Sequence, residues 1–108
     1  MRLDALTLYD FRNYAHLEAQ FVPGVNLILG ENAQGKTNLL EAVYMLSCGR
    51  SFRTRFDREL VGFGYSGADI LADVYSHERE QTINIQLRPG QGKKILVNGV
   101  KKTAGELA

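Results

Sequence analysis

Gly30-Glu31-Asn32-Ala33-Gln34-Gly35-Lys36-Thr37 is the stretch whose reading decides the fold. It satisfies the pattern glycine, four residues, glycine, lysine, then serine or threonine, in which each fixed position has a physical task. Gly30 and Gly35 permit backbone angles and a close approach that a Cβ would obstruct, so that successive N–H groups point inward around an anion. Lys36 brings a mobile positive charge to the β and γ phosphates, and the Thr37 hydroxyl is placed to ligate Mg²⁺. At ordinary residue frequencies a random chain of this length matches the pattern on the order of a few times in a thousand. Context strengthens the match, because the motif needs a strand running in and a helix running out.

Both neighbours are expected. Val25-Asn26-Leu27-Ile28-Leu29 is a short β-rich run entered through a Pro23-Gly24 turn, as in buried strands. Residues 35–47 read as a helix: Leu39, Val43 and Leu46 recur at helical spacing, and Leu40, Ala42 and Met45 widen the apolar surface until burial on several sides is expected. Cys48-Gly49 is its stop. The helix aims its positive dipole end at the loop.

Further out the period changes to two. Leu6 and Leu8 alternate with Thr7 and Tyr9, and Leu17, Ala19 and Phe21 with Glu18 and Gln20, so two strands flank a turn at residues 10–14. Beyond the helix, residues 51–67 read as a loop with a short helical turn. Strands are expected at 68–76, 81–88 and 93–97, then an Asn98-Gly99 hairpin turn, a very short return strand at 100–103, and the opening of a helix at 104–108. No internal repeat or low-complexity segment is found.

Composition excludes more than it selects. The chain has 108 residues, 44% of them apolar and 23% charged, with 13 Lys plus Arg against 12 Asp plus Glu. These are values of an ordinary globular chain, one domain at most or part of one. The single Cys48 excludes an internal disulfide, and with no signal-like start a reducing cytoplasm is the default. No apolar run approaches the roughly 20 residues that cross a bilayer. A net charge of +1 neither requires nor excludes a nucleic-acid partner.

Other chemistry is sparse. The best candidate for an acidic Mg²⁺ motif is Ile70-Leu71-Ala72-Asp73, but Asp69 interrupts the apolar run and no second acid follows, so Asp73 reads as a surface residue of an antiparallel strand. An Asn-Lys-x-Asp guanine motif is absent. His16 and His77 lie among polar neighbours in strand-like segments and read as surface residues, and Cys48 reads as packing rather than reactive.

Three stretches together carry a resemblance: Asp10-Phe11-Arg12-Asn13-Tyr14, residues 26–42 around the loop, and Gly49-Arg50-Ser51-Phe52-Arg53. They resemble the N-terminal part of the RecF family, a branch of the SMC-like, ABC-type ATPases, over essentially the whole chain. The resemblance implies an α/β P-loop head, here its N-terminal lobe, with a largely antiparallel sheet of about five to seven short strands around one loop helix. It implies ATP and Mg²⁺ as cofactors, held by Gly30, Glu31, Asn32, Ala33, Gln34, Gly35, Lys36 and Thr37, with Thr37 on the metal and Arg12 and Asn13 beside the nucleotide. It further implies ATP-dependent DNA binding at single-strand/double-strand junctions in recombinational repair, replication restart and the SOS response. Recombinase loading with RecO and RecR as partners, and homodimerisation around ATP, belong to the same expectation, as does a cytoplasmic location.

Two residue-level alternatives stay open. Arg12 is either a nucleotide neighbour or a solvated turn cation. Arg50, Arg53, Arg55 and Arg58 are either a patch for DNA phosphates or a solvated face, since Asp57 and Glu59 dilute them. The family's signature motif, acidic motif and helical lobe have no counterpart in residues 1–108. An incomplete head is therefore expected, in which the strand at 25–29 has one open flank, and which alone is a poor or inert ATPase. Rival expectations are another SMC-like or ABC-type ATPase, or a module that keeps the fold without using nucleotide.

Overall fold

The computed structural model describes residues 2–21 and 33–107, with residues 33–36 in their backbone only. The expected Pro23-Gly24 turn, the strand at 25–29 and loop residues Gly30, Glu31 and Asn32 lie outside the described residues. The chain runs β1 (Arg2–Phe11), β2 (Tyr14–Gln20), α1 (Ala33–Cys48), a 3-10 turn (Asp57–Glu59), β3 (Ala68–Ser76), β4 (Arg79–Arg88), β5 (Gly92–Val97), β6 (Val100–Lys102) and α2 (Ala104–Leu107). The six described strands form one sheet in the order β2-β1-β3-β4-β5-β6. Every pairing is antiparallel.

The period-two pattern sets the layers. Leu17, Leu8, Ile70, Ile85 and Ile95 stand opposite one another in successive strands and make a continuous apolar row. With Leu6, Ala72, Val74, Ile83 and Leu87 they face α1, whose Leu39, Ala42, Met45 and Leu46 complete the core. Asp73, Thr82 and Lys94, out of phase with them, are exposed on the opposite face. Full burial of a Leu or Ile contributes about 1.5–3 kcal/mol, so this helix-on-sheet seam is what fixes α1 in place.

Elements lie where expected, with differences at their ends. Helix α1 starts at Ala33, inside the phosphate-loop pattern rather than at Gly35, and runs one residue past Ser47. Gly49 stops it with φ +73, and an added Cβ there would lie 2.7 Å from the Ala104 Cβ. The widened apolar surface is realised at Ala42 and Met45, both fully buried, but not at Leu40, which with Tyr44 forms an open stripe, 51% and 45% exposed. Asn98 and Gly99 both have positive φ, 52 and 82, as a type I′ turn requires. His77 is exposed as expected but not in a strand: with Glu78 it forms the two-residue turn between β3 and β4, φ 54 and 64.

Candidate functional site

The β1–β2 hairpin ends in a two-residue turn at Arg12 and Asn13, shorter than the expected turn at 10–14 because pairing persists to Phe11 and Tyr14. Asp10 and Arg12 each have φ 53. These left-handed residues are held from outside the hairpin. The Arg12 N–H donates to the Leu60 carbonyl at 2.8 Å and the Gly62 N–H to the Asp10 carbonyl at 2.6 Å, while Phe11 bridges Val61. A Cβ on Gly62 would lie 3.0 Å from the Arg12 carbonyl oxygen and 3.2 Å from that of Asp10, so the approach depends on glycine.

Pinned in this way, the tip presents its side chains to α1. Arg12 Nε donates to Glu41 Oε1 at 2.9 Å and Nη2 to Oε2 at 3.0 Å. Asn38 Nδ2 donates to Asn13 Oδ1 at 2.7 Å. From the loop after the helix, Ser51 Oγ donates to Glu41 Oε2, and Arg53 Nη1 donates to Asn38 Oδ1 at 2.6 Å and lies 3.5 Å from Glu41 Oε1. The Glu41 side chain is fully buried, Arg12 19% exposed and Arg53 27% exposed. Burial pushes the Glu41 carboxyl up, but the hydrogen bonds from Arg12 and Ser51 and the two guanidinium charges outweigh it, and the group titrates below its ordinary range.

The expected site residues thus divide. Arg12 and Asn13 meet the helix that starts within the phosphate-loop pattern, and Arg12 is not a solvated cation. Ala33, Gln34, Gly35 and Lys36 form the first backbone turn of α1. Half-buried Thr37 stands one turn before Glu41. The four arginines are not one patch: Arg53 turns into the Glu41 cluster, whereas Arg55 and Arg58 lie over the Phe56 ring, 5.2 and 5.3 Å from its centroid. Arg50 is exposed. Asp57, next to them, is taken by Lys93 at 3.7 Å. Asp73 accepts a hydrogen bond from Thr82 at 3.3 Å, and no group of three or more His, Cys, Asp or Glu among the described residues could hold a metal ion.

Sequence reasoning missed Glu41, Asn38 and Ser51. A carboxylate in the third turn of a helix looks like a surface residue, and only its pairing with a turn arginine 29 positions away gives it meaning. Beside the tip, Arg12, Arg58, Gly62, Phe63 and Tyr65 line an open depression of about 610 Å³ in which Phe63 is fully exposed. A cavity of about 490 Å³ lined by Val74, Ile83, Val97 and Leu107 contains none of the site residues.

An antiparallel sheet under a helix that begins inside a Gly-x-x-x-x-Gly-Lys-Thr pattern defines the N-terminal lobe of a P-loop NTPase head. A family model described as an AAA domain matches residues 5–106, and the chain belongs to that family. Within it the similarity is to the N-terminal part of RecF. The DNA replication and repair protein RecF of Lachnospira eligens is 44% identical over 108 residues, 99% of this chain and 30% of that protein. The structure of the recombination mediator protein RecF with ATP superposes with a TM-score of 0.90 at 42% identity, over 98% of this chain and 29% of that one. An SMC ATPase at 22% identity and TM-score 0.84, over 99% of this chain and 75% of that one, shares the fold. The chain spans under a third of the length of the RecF relatives, 30% and 27% for two of them.

Proposed function

We propose that this chain is the N-terminal lobe of an ATP-binding head that acts in recombinational DNA repair and replication. The observation that carries the reading is the docking of the Arg12-Asn13 tip onto the helix that starts at Ala33 inside the phosphate-loop pattern. A helix N-terminus already favours an anion, and about two turns further along the same helix two guanidinium groups face a single carboxylate. This donor set fits a triphosphate with Mg²⁺: residues 30–37 with Arg12 and Asn13 would hold it, and Thr37 would reach the metal, which supplies charge neutralisation of the phosphates. Similarity to RecF in its ATP complex supports the same assignment.

The further reading follows the RecF relatives. In the longer protein, ATP would join two heads, DNA binding at single-strand/double-strand junctions would depend on that dimer, and recombinase loading would involve RecO and RecR. Exposed Arg50, Arg55 and Arg58 are the DNA-phosphate candidates of this lobe. The signature and acidic motifs and the helical lobe would belong to the length of the relatives that this chain does not span, so the chain alone would turn over ATP poorly or not at all. A cytoplasmic location accords with a DNA substrate, and no helix among the described residues is long and apolar enough to cross a membrane.

The test is thermal unfolding with and without Mg·ATP. A ligand that binds only the folded state raises its melting temperature, by the equivalent of about 2.7 kcal/mol at a hundred times Kd. The rise is expected in this chain and absent in Lys36→Ala. An equal rise in both would overturn the phosphate-loop assignment, and no rise in either would favour a module that does not use nucleotide.

A further inference from the structure

Glu41 is an expensive residue to bury in the middle of a core helix. An isolated carboxylate there would be strongly unfavourable, and a buried ion pair is often no more stabilising than an apolar side chain of similar size. Stability alone does not account for a carboxylate at this position. Its surroundings are specific: both oxygens are engaged, and the partners come from two separate segments, the hairpin tip (Arg12) and the loop after the helix (Ser51, Arg53), while the neighbouring Asn38 ties the same two segments through Asn13 and Arg53.

Two features bear on Thr37, which ends the phosphate-loop pattern, and on the guanidinium of Arg12. Glu41 is four residues after Thr37, so the two are neighbours on one helix face, about 5–6 Å apart at Cβ. The fork on Glu41 uses Nε and Nη2 of Arg12, which leaves the two Nη1 donors of the planar guanidinium outside the fork. A guanidinium held along one edge in this way has its other edge fixed in direction. Because a second guanidinium, that of Arg53, also lies against the carboxylate, the cluster keeps a surplus positive charge.

We propose that Glu41 is a positioning residue for the phosphate site: its carboxylate fixes the guanidinium of Arg12, from the hairpin tip, in the orientation from which it meets the phosphates of a nucleotide bound at residues 30–37. Glu41 touches no nucleotide itself and acts through Arg12. The inference rests on the reading of residues 30–37 as a phosphate site, and deepens it.

The experiment is a double-mutant cycle read on Mg·ATP affinity, with melting temperature recorded for every variant. Glu41→Gln removes the charge at constant shape, and Arg12→Ala removes the group it holds. Each is expected to weaken Mg·ATP binding about tenfold, and the double variant by no more than Arg12→Ala alone, since residues acting as one unit are not additive. Losses that multiply in the double variant overturn the proposal, as do losses of affinity that only track the fall in melting temperature across the variants, because a purely structural pair would lose both together. Arg12→Lys serves if Glu41→Gln does not fold: it keeps a charge at the turn but cannot make the fork. A several-fold loss is expected, and wild-type affinity in Arg12→Lys overturns the proposal. Unsubstituted chain that binds no Mg·ATP, or binds it equally well as Lys36→Ala, removes the phosphate-site reading, and the proposal falls with it.

Discussion

Arg12 and Glu41 form a two-pronged ion pair, at 2.9 and 3.0 Å, between the tip of the first hairpin and the middle of helix α1. The pair closes a loop of chain that contains the whole phosphate-binding pattern. Hairpin and helix are therefore not independent supports, and what disturbs one reaches the other.

The first prediction concerns acid. The Glu41 carboxyl is held below its ordinary range by Arg12, Ser51 and Arg53, so its stabilisation is fully present above the unfolded-state value of about 4.3 and is lost as pH falls through the lower folded-state value. Glu41→Gln is expected to be less stable than the parent by about 2 kcal/mol at neutral pH, because charge-assisted hydrogen bonds are removed. The gap narrows as pH drops below about 4. Urea titrations at pH 7 and pH 3 measure it. A gap of constant size would show that the charge of Glu41 contributes nothing.

Gly62 gives a second prediction. Its N–H holds Asp10, and an added Cβ would press on the carbonyl oxygens of both left-handed tip residues. Backbone cannot yield as a flexible side chain does, so Gly62→Ala is expected to destabilise the chain by about 1–3 kcal/mol. Gly64→Ala is the contrast. It meets nothing within 4 Å and differs only by its positive φ of 86, so its effect is expected to be about 1–2 kcal/mol with no disturbance of the tip. Amide hydrogen exchange at Arg12 separates the two, with faster exchange in Gly62→Ala only.

The β3–β4 turn yields a third. His77 and Glu78 both adopt positive φ, a conformation unfavourable by about 1–2 kcal/mol for ordinary residues and natural to Asn-Gly. Replacing the pair by His77→Asn and Glu78→Gly is expected to raise stability by about 1 kcal/mol, or about 4–8 °C in Tm for a domain of this size. An unchanged Tm would mean that the turn is not strained.

These residues mark where the sequence could be read and where it could not. Ile83, Ile85 and Leu87 announced β4 because a period of two is a local signal, and Asn98-Gly99 announced its turn through residues that tolerate left-handed angles. His77-Glu78 carries no such signature: its turn is dictated by the register of nine paired positions between β3 and β4, a tertiary effect. The phosphate-loop pattern itself is legible in Gly30, Gly35, Lys36 and Thr37 alone. The Glu41 cluster is not, since its partners Ser51, Arg53 and Arg12 stand 10, 12 and 29 residues away and are brought together only by the folded chain. One local signal was overlooked. Thr103-Ala104-Gly105-Glu106 is a capping box, with the Thr103 N–H donating to Glu106 Oε1 at 3.0 Å, and it marks the start of α2.

The last prediction separates the arginines that composition grouped together. Arg53 reaches Asn38 and Glu41, so Arg53→Ala is expected to lower stability by about 1–3 kcal/mol, the magnitude of a hydrogen bond to a charged group. Arg55 and Arg58 lie over the Phe56 ring, an interaction of about 0.5–1 kcal/mol where exposed, and Arg55→Ala with Arg58→Ala is expected to leave Tm nearly unchanged. On the proposed reading their task is the DNA backbone. Removing one cation from a DNA phosphate reduces the slope of log affinity against log salt by about 0.9, so the double variant of the RecF-length protein is expected to show a shallower slope by about 1–2 and weaker binding across all sequences. Fluorescence anisotropy with labelled duplex at several salt concentrations measures both. An unchanged slope would assign Arg55 and Arg58 to a solvated face, and place the DNA-binding groups on other elements of the head.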